Sequence, residues 1–296
     1  MNKTVTLALV FATSVLTSSQ ASSGEPICRI AAISSTYITT LTASELGERS
    51  WIAKTAPQSL DRTIAMVNAT NVDAMIVLGP LTWSGSQADL EKAKSFLSQI
   101  RAPVYVIPGD KDLTNGSEDF SKLFSEANRE GRFLRINGVH LQFTSLVETQ
   151  TATGQQAILK QMATGLAQAE KAPAVLLFGG SDIREPSDQA SPTSIQARYW
   201  KLMKEKKVAA RFIPGHSHTV RLDGRVPTWS IPSSGWSYSP KWPLAIIEVF
   251  KETINLNLVA EAGQPLQRLI VPNPVNAERI AYAKDDPLFP CSQKYF

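Results

Sequence analysis

Cysteine and histidine are scarce in this 296-residue chain, which has two of the first and three of the second. Two cysteines allow one pairing at most, Cys28 with Cys291, so no larger disulfide framework is open to the chain. An excess of one charge is also missing. Charged residues make up 19% of the sequence, the formal net charge is +4, and the signs are mixed along the chain. That balance excludes a nucleic-acid binder or a protein held on an anionic membrane by charge. Repeats, low-complexity tracts and interdomain linkers are absent. Beyond the first residues no apolar run reaches the roughly 20 residues that span a bilayer.

What is present begins with a targeting segment. Lys3 precedes the short apolar run Val5–Leu16, and Ser19-Gln20-Ala21 offers small residues at the positions a signal peptidase reads. Residues 1–21 are therefore expected to be a signal peptide, with a retained anchor as the other reading. The mature chain is expected to be exported, periplasmic or secreted, with no stable membrane insertion. An oxidising compartment favours a Cys28–Cys291 bridge stapling the termini, and two unpaired thiols are the alternative. The rest divides into one domain, 22–271, and a Pro-rich tail, 272–296.

Five short apolar runs share one design: Cys28–Ser34, Asp73–Gly79, Ala102–Gly109, Ala172–Gly179 and Val208–Gly215. Near-continuous apolar runs of this length match strands buried on both faces. Helical spacing of apolar residues falls between them, over Leu60–Asn71, Ser86–Ile100, Glu118–Arg129, Gln155–Lys171 and Ser194–Lys206. Such alternation predicts an α/β sheet whose ligand site lies beyond the carboxyl ends of its strands. Arg132–Ile136 and Val139–Leu146, joined by Asn137-Gly138, read as a hairpin. Thr219–Leu222, Val226–Ile231, Leu244–Lys251 and Thr253–Val259 read as a second, largely antiparallel sheet. Two packed sheets flanked by helices is the simplest architecture.

The loops after these strands resemble a known family. Ile76–Ser86 (IVLGPLTWSGS), Pro103–Asp112 (PVYVIPGDKD) and Gly215-His216-Ser217-His218 are similar, in order and spacing, to the second-strand loop, third-strand loop and G-H-x-H of the calcineurin-like metallophosphoesterases. The resemblance runs from about Arg29 to Ser234. It implies an α/β fold, a four-layer αββα sandwich of two mixed sheets. It also implies a site where two metal ions orient a phosphate ester and activate water.

The departures from that pattern decide the expected function. Ser35 and Tyr37 stand where the resemblance calls for aspartate and histidine, Pro80 where it calls for the bridging aspartate, and Lys111 where it calls for a leaving-group histidine. Gly179 or Gly180 stands for an isolated histidine, and Asp110 replaces an asparagine. Asp112 matches a residue that supports the loop. Only Asp110, His216 and His218 are left as vestigial donors, fewer than the three or more that each metal needs. A residual weak metal site and a purely structural role for the two histidines both stay open. His140, on the hairpin, is read as structural or surface.

Aromatic residues gather near the same loops: Tyr37 and Trp83, then Trp229, Trp236, Tyr238 and Trp242. They either line a cleft or fill space and pack the second sheet. Tyr37, Trp83, Lys111 and Trp236 are the candidate ligand-binding residues, for an unidentified small molecule, glycan or protein. The expected function is a non-catalytic binding or structural protein needing no cofactor. The alternative is an active, divergent phosphoesterase with one or two divalent ions (Mn, Fe or Zn), held by Asp110, His216, His218 and a displaced carboxylate such as Asp182.

Overall fold

The computed structural model describes residues 24–115, 117–124, 133–144, 151–180, 183, 186, 191, 193–215, 219–223, 226–234, 244–259 and 265–273. The signal segment, Asp182, His216, His218, Trp236, Tyr238, Trp242 and Cys291 lie outside the described residues.

Two six-stranded sheets pack face to face. The first contains β1 (Cys28–Ser34), β2 (Ala74–Gly79), β3 (Val104–Pro108), β10 (Leu244–Val249), β11 (Thr253–Val259) and β12 (Pro265–Pro272), in the order β12-β11-β10-β1-β2-β3. The second contains β4 (Phe133–Ile136), β5 (Val139–Thr144), β6 (Val175–Gly179), β7 (Ala210–Gly215), β8 (Thr219–Asp223) and β9 (Val226–Pro232), in the order β4-β5-β6-β7-β9-β8. Four helices, α1 (Ala43–Leu46), α2 (Trp51–Ala69), α3 (Gln87–Leu97) and α4 (Ser117–Leu123), accompany the first sheet. Two more, α5 (Ala152–Ala167) and α6 (Ile195–Glu205), accompany the second. The result is an α/β sandwich of four layers, αββα. No helix among the described residues is long and apolar enough to cross a membrane.

Alternation of side chains explains the continuous apolar runs. In β1, Ile30 and Ala32 enter the core between the sheets, while Ala31 and Ile33 enter the core under the helices. Ile76 and Leu78 of β2 face inward, and Met75 and Val77 outward. Both faces of these strands are covered, so polar alternation has no place in them. Inside the second sheet, Phe143, Phe178, Phe212 and Trp229 sit in register on β5, β6, β7 and β9. They form a ladder with ring centroids 5.9, 4.8 and 5.1 Å apart. Trp229 is fully buried there, so it packs the sandwich and does not line a cleft.

The five parallel-type runs hold as strands but divide between the sheets, and the expected second antiparallel sheet is corrected. Leu244–Val249 and Thr253–Val259 join the first sheet, where β10 pairs antiparallel with β1. Thr219–Asp223 and Val226–Pro232 complete the second, where β9 pairs parallel with β7. Each sheet is thus mixed. The reason is burial: Ala245, Ile247 and Val249 fill the inner core while Leu244 and Ile246 fill the outer one, so β10 fits only inside a covered sheet.

The helix expected over Leu60–Asn71 begins earlier, at Trp51, despite Pro57 inside it. Ile52, Ala56, Leu60, Ile64 and Val67 form one buried stripe, and that burial outweighs the backbone bond a proline forfeits. The described chain continues the domain to Asn273. Its side-chain amide donates to the Pro173 carbonyl at 2.8 Å and the Phe250 carbonyl at 3.3 Å.

Candidate functional site

The carboxyl ends of β1, β2 and β3 meet the end of β7 at one rim of the sandwich. Pro214 packs onto Gly79: a β-carbon added at Gly79 would lie 2.7 Å from the proline Cβ. Gly79 has φ +71°, a backbone state that glycine adopts without steric cost. The Ser34 hydroxyl donates to the Ile231 carbonyl at 2.6 Å, and the Ser233 hydroxyl to the Ser35 carbonyl at 2.8 Å. These contacts sew the two sheets together under the loops that the sequence singled out.

Ser35 and Tyr37 carry an unusual backbone. Both are non-glycine residues in the left-handed region, with φ 48° and 53°. Each such residue costs about 1–2 kcal/mol. The surrounding loops hold them there. The Ser35 amide donates to the Leu78 carbonyl at 2.9 Å, and the Thr36 hydroxyl to the Leu81 carbonyl at 2.6 Å.

Two buried carboxylates knit the loops. Asp112 accepts the amides of Leu81 (2.9 Å), Thr82 (2.8 Å) and Gly109 (3.0 Å) and the Thr82 hydroxyl (2.7 Å). Burial pushes this carboxyl up to about 6, against the pull of those donors towards the ionised form. It supports the loop, as the resemblance implies. Asp89, in the first turn of α3, accepts the Thr40 hydroxyl at 2.8 Å and the Ser84 hydroxyl at 2.6 Å. It thereby ties the loop after β1 to the loop after β2. Sequence reasoning passed over Asp89. Ser86-x-x-Asp89 marked a helix start, but nothing local shows that its carboxylate reaches back to two loops.

Pro80 is buried at the carboxyl end of β2. A β-carbon on Gly109 would come 2.3 Å from its nitrogen and 2.5 Å from its Cδ, so the backbone at the end of β3 lies directly against the proline. Gly179 ends β6 and is buried. Asp110 is exposed, and its carboxylate caps the Lys111 amide at 2.9 Å. Lys111 extends its ammonium over the indole of Trp83, 5.4 Å from the ring centroid. Arg49, a residue without any local sequence signal, places its guanidinium 5.0 Å from the same centroid. Tyr37 meets that indole edge-on, with centroids 5.8 Å apart at 64°. The Tyr37 phenol is raised above its ordinary value, first by burial and then by Asp110 and Asp112, with Ser35 and Arg49 opposing.

The described side chains at this rim do not by themselves make a dinuclear metal centre. Pro80 and Gly179 bring no donor atoms, Lys111 brings a positive charge, and both oxygens of Asp112 are already engaged. Among the described residues no group of three histidine, cysteine, aspartate or glutamate side chains is placed to hold a metal ion. Gly215, directly before His216, ends β7 beside Ser34, whose hydroxyl lies 3.5 Å from the Gly215 carbonyl.

His140 is fully buried on β5, stacked on Phe133 at 4.9 Å with its Nε2 3.3 Å from the Gln142 side-chain oxygen, so it is structural. Cys28 is a buried thiol whose proton affinity rises to about 12 through burial and the neighbouring Asp73. A groove of about 680 Å³ lies elsewhere, between α5 and α6, lined in part by Lys160, Arg198, Lys201 and Glu205. Its Lys201 and Glu205 pair with each other at 3.7 Å, and none of its lining residues comes from the loops after β1, β2 or β3.

No protein-family model matches the sequence, and no curated protein sequence matches it. Solved structures do. A dimetal phosphatase from Danio rerio is 10% identical with a TM-score of 0.64, covering 84% of this chain and 100% of its own. GAP50, described as the anchor in the inner membrane complex of Plasmodium, is 12% identical with a TM-score of 0.59, covering 83% and 89%. Purple acid phosphatase from yellow lupin is 9% identical with a TM-score of 0.58, covering 83% of this chain and 53% of its own. At these identities the shared feature is the fold, and it is the metallophosphoesterase fold.

Proposed function

We propose, from the metallophosphoesterase fold as premise, that this protein is an exported, non-catalytic scaffold that binds a ligand at the rim of β1–β3 without hydrolysing it. One observation carries the reading. The place where the family's bridging carboxylate would stand holds Pro80, buried against the backbone of Gly109, and among the described residues no group of three histidine, cysteine, aspartate or glutamate side chains could hold a metal ion. Two-metal hydrolysis depends on a shared anionic ligand to hold two cations a few ångströms apart. The Lys111 ammonium nearby adds repulsion to any such pair. That a neighbour in fold is described as an anchor supports a non-enzymatic use of this scaffold.

Metal analysis and turnover test the reading together. Purified protein dialysed against Mn²⁺, Fe²⁺ or Zn²⁺ is expected to retain well under one equivalent and to leave an aryl phosphate intact. Two retained equivalents would overturn it. So would turnover with Mn²⁺ that disappears in the His216→Ala, His218→Ala double variant. Export belongs to the same proposal. N-terminal sequencing of protein directed to the periplasm is expected to begin near Ser22. Alkylation in denaturant without reductant is expected to add nothing if Cys28 and Cys291 are paired, and two adducts would show them unpaired.

A further inference from the structure

We propose that Arg49 and Lys111, arrayed on Trp83 beside the Ser35 and Tyr37 hydroxyls, form a metal-independent site for a small-molecule oxyanion, carboxylate or phosphate. This rests on the binding reading above and names the ligand chemistry of that same rim. Two cations converge on one indole, at 5.0 and 5.4 Å, and neither forms an ion pair with a carboxylate among the described residues. A cation over an indole gains about 0.5–1 kcal/mol when exposed. Bringing a second like charge to the same ring gives back part of that gain. An oxyanion drawn to this pair offsets their charge and adds charge-assisted hydrogen bonds, for which a guanidinium fork is well shaped.

Preorganisation supports the assignment. Arg49 ends the 3-10 turn Gly47–Arg49 that follows α1 in the connection from β1 to α2, Trp83 lies in the loop after β2, and Lys111 opens the 3-10 turn after β3. Asp89 fastens the first loop to the second through Thr40 and Ser84, and Asp112 fastens the second to the third through Leu81 and Thr82. A β-carbon on Gly85 would stand 2.3 Å from the Lys111 carbonyl, so the tryptophan and lysine loops are in backbone contact. The left-handed Ser35 and Tyr37 keep their hydroxyls at the same rim, where the two side chains hydrogen-bond each other and Arg49 acts on the phenol. Binding therefore spends little free energy on ordering loops. Two carboxylates oppose the site: Asp110, exposed beside Lys111, and Asp112, buried and engaged by the amides of Leu81, Thr82 and Gly109; both act on the Tyr37 phenol.

Asp110 also supplies the deciding test, because the metal-free site and a metal site predict opposite signs for its removal. Titration calorimetry with inorganic phosphate, phenyl phosphate and benzoate, in chelator, is expected to show binding of at least one. The winning probe identifies the oxyanion. Arg49→Gln and Lys111→Gln are each expected to weaken that binding about tenfold with the Tm of the free protein unchanged. Asp110→Asn is expected to tighten it, and rising salt to weaken it. Absence of any binding at about 10 mM probe, by heat or by thermal shift, overturns the inference and leaves the non-catalytic reading standing. Binding that needs added Mn²⁺ and is lost in Asp110→Asn overturns both.

Discussion

Replacing Asp112 with alanine removes a buried side chain that holds the second and third loops together, and its cost can be worked from the geometry. Three buried amides, those of Leu81, Thr82 and Gly109, lose their acceptor, while the Thr82 hydroxyl can turn to another. An orphaned buried donor costs about 1–3 kcal/mol, so the three together cost about 6 kcal/mol. Against this stands the relief of burying a carboxylate. Raising its affinity for protons from the ordinary 3.8 to about 6 means the ionised form costs about 3 kcal/mol in the fold at neutral pH. The hydrogen bonds win, and a net loss of about 3 kcal/mol is expected at pH 7.5. Because the folded state holds this proton more tightly than the unfolded chain, the group's contribution to wild-type stability falls as pH rises from about 4 to 6 and is flat above. The gap between wild type and Asp112→Ala therefore widens on acidification through that window. Urea denaturation at pH 5 and pH 7.5, read as Cm at constant m, measures it. A loss below about 1 kcal/mol at pH 7.5, or a gap that does not change with pH, would refute the account of Asp112 as a loaded staple.

The remaining predictions concern the core of the same rim and the second sheet. Gly109→Ala drives a methyl to 2.3 Å from the Pro80 nitrogen, backbone that cannot rotate away, so a loss of about 2–3 kcal/mol is expected by urea denaturation. A value under about 1 kcal/mol would mean the ends of β2 and β3 separate freely. Burial, with Arg135 adding to it and Gln142 opposing, lowers the proton affinity of His140 below its ordinary value of 6.5, so its contribution to stability is intact above about 6.5 and is lost as pH falls below it towards the folded value. In His140→Leu that acid loss is expected to vanish, and the stability difference between wild type and variant should shift in the variant's favour between pH 7.5 and pH 5. A difference independent of pH would show that the imidazole protonates freely in the fold.

Much of this fold was legible because buried strands leave a mark that needs no partner. Cys28–Ser34 and Val208–Gly215 read as strands from their own residues, since most positions along them are apolar whichever sheet covers them. Asn137-Gly138 likewise announced the β4–β5 hairpin, and the structure gives both residues positive φ. Sheet membership was not legible. Val226–Pro232 and Leu244–Val249 have similar strand signatures, yet one pairs parallel with β7 and the other antiparallel with β1. Pairing depends on which neighbour completes a covered face, a property of two segments and not of one. Trp229 shows the same limit: its place in the chain left cleft and sheet packing both open, and its register with Phe212 put it in the core.

By itself, the sequence determined the substitutions at the rim. Proline at position 80 and glycine at 179 carry no side-chain donor atoms whatever the backbone does, and lysine at 111 carries a positive charge, because side-chain chemistry is carried by the residue. Only the tertiary structure decided what stands there instead. Arg49 and Lys111 are 62 positions apart in the chain and meet on one indole because Asp89 and Asp112 fasten three loops into one rim. Convergence of that kind arises from long-range packing, to which a one-dimensional pattern of residues is blind.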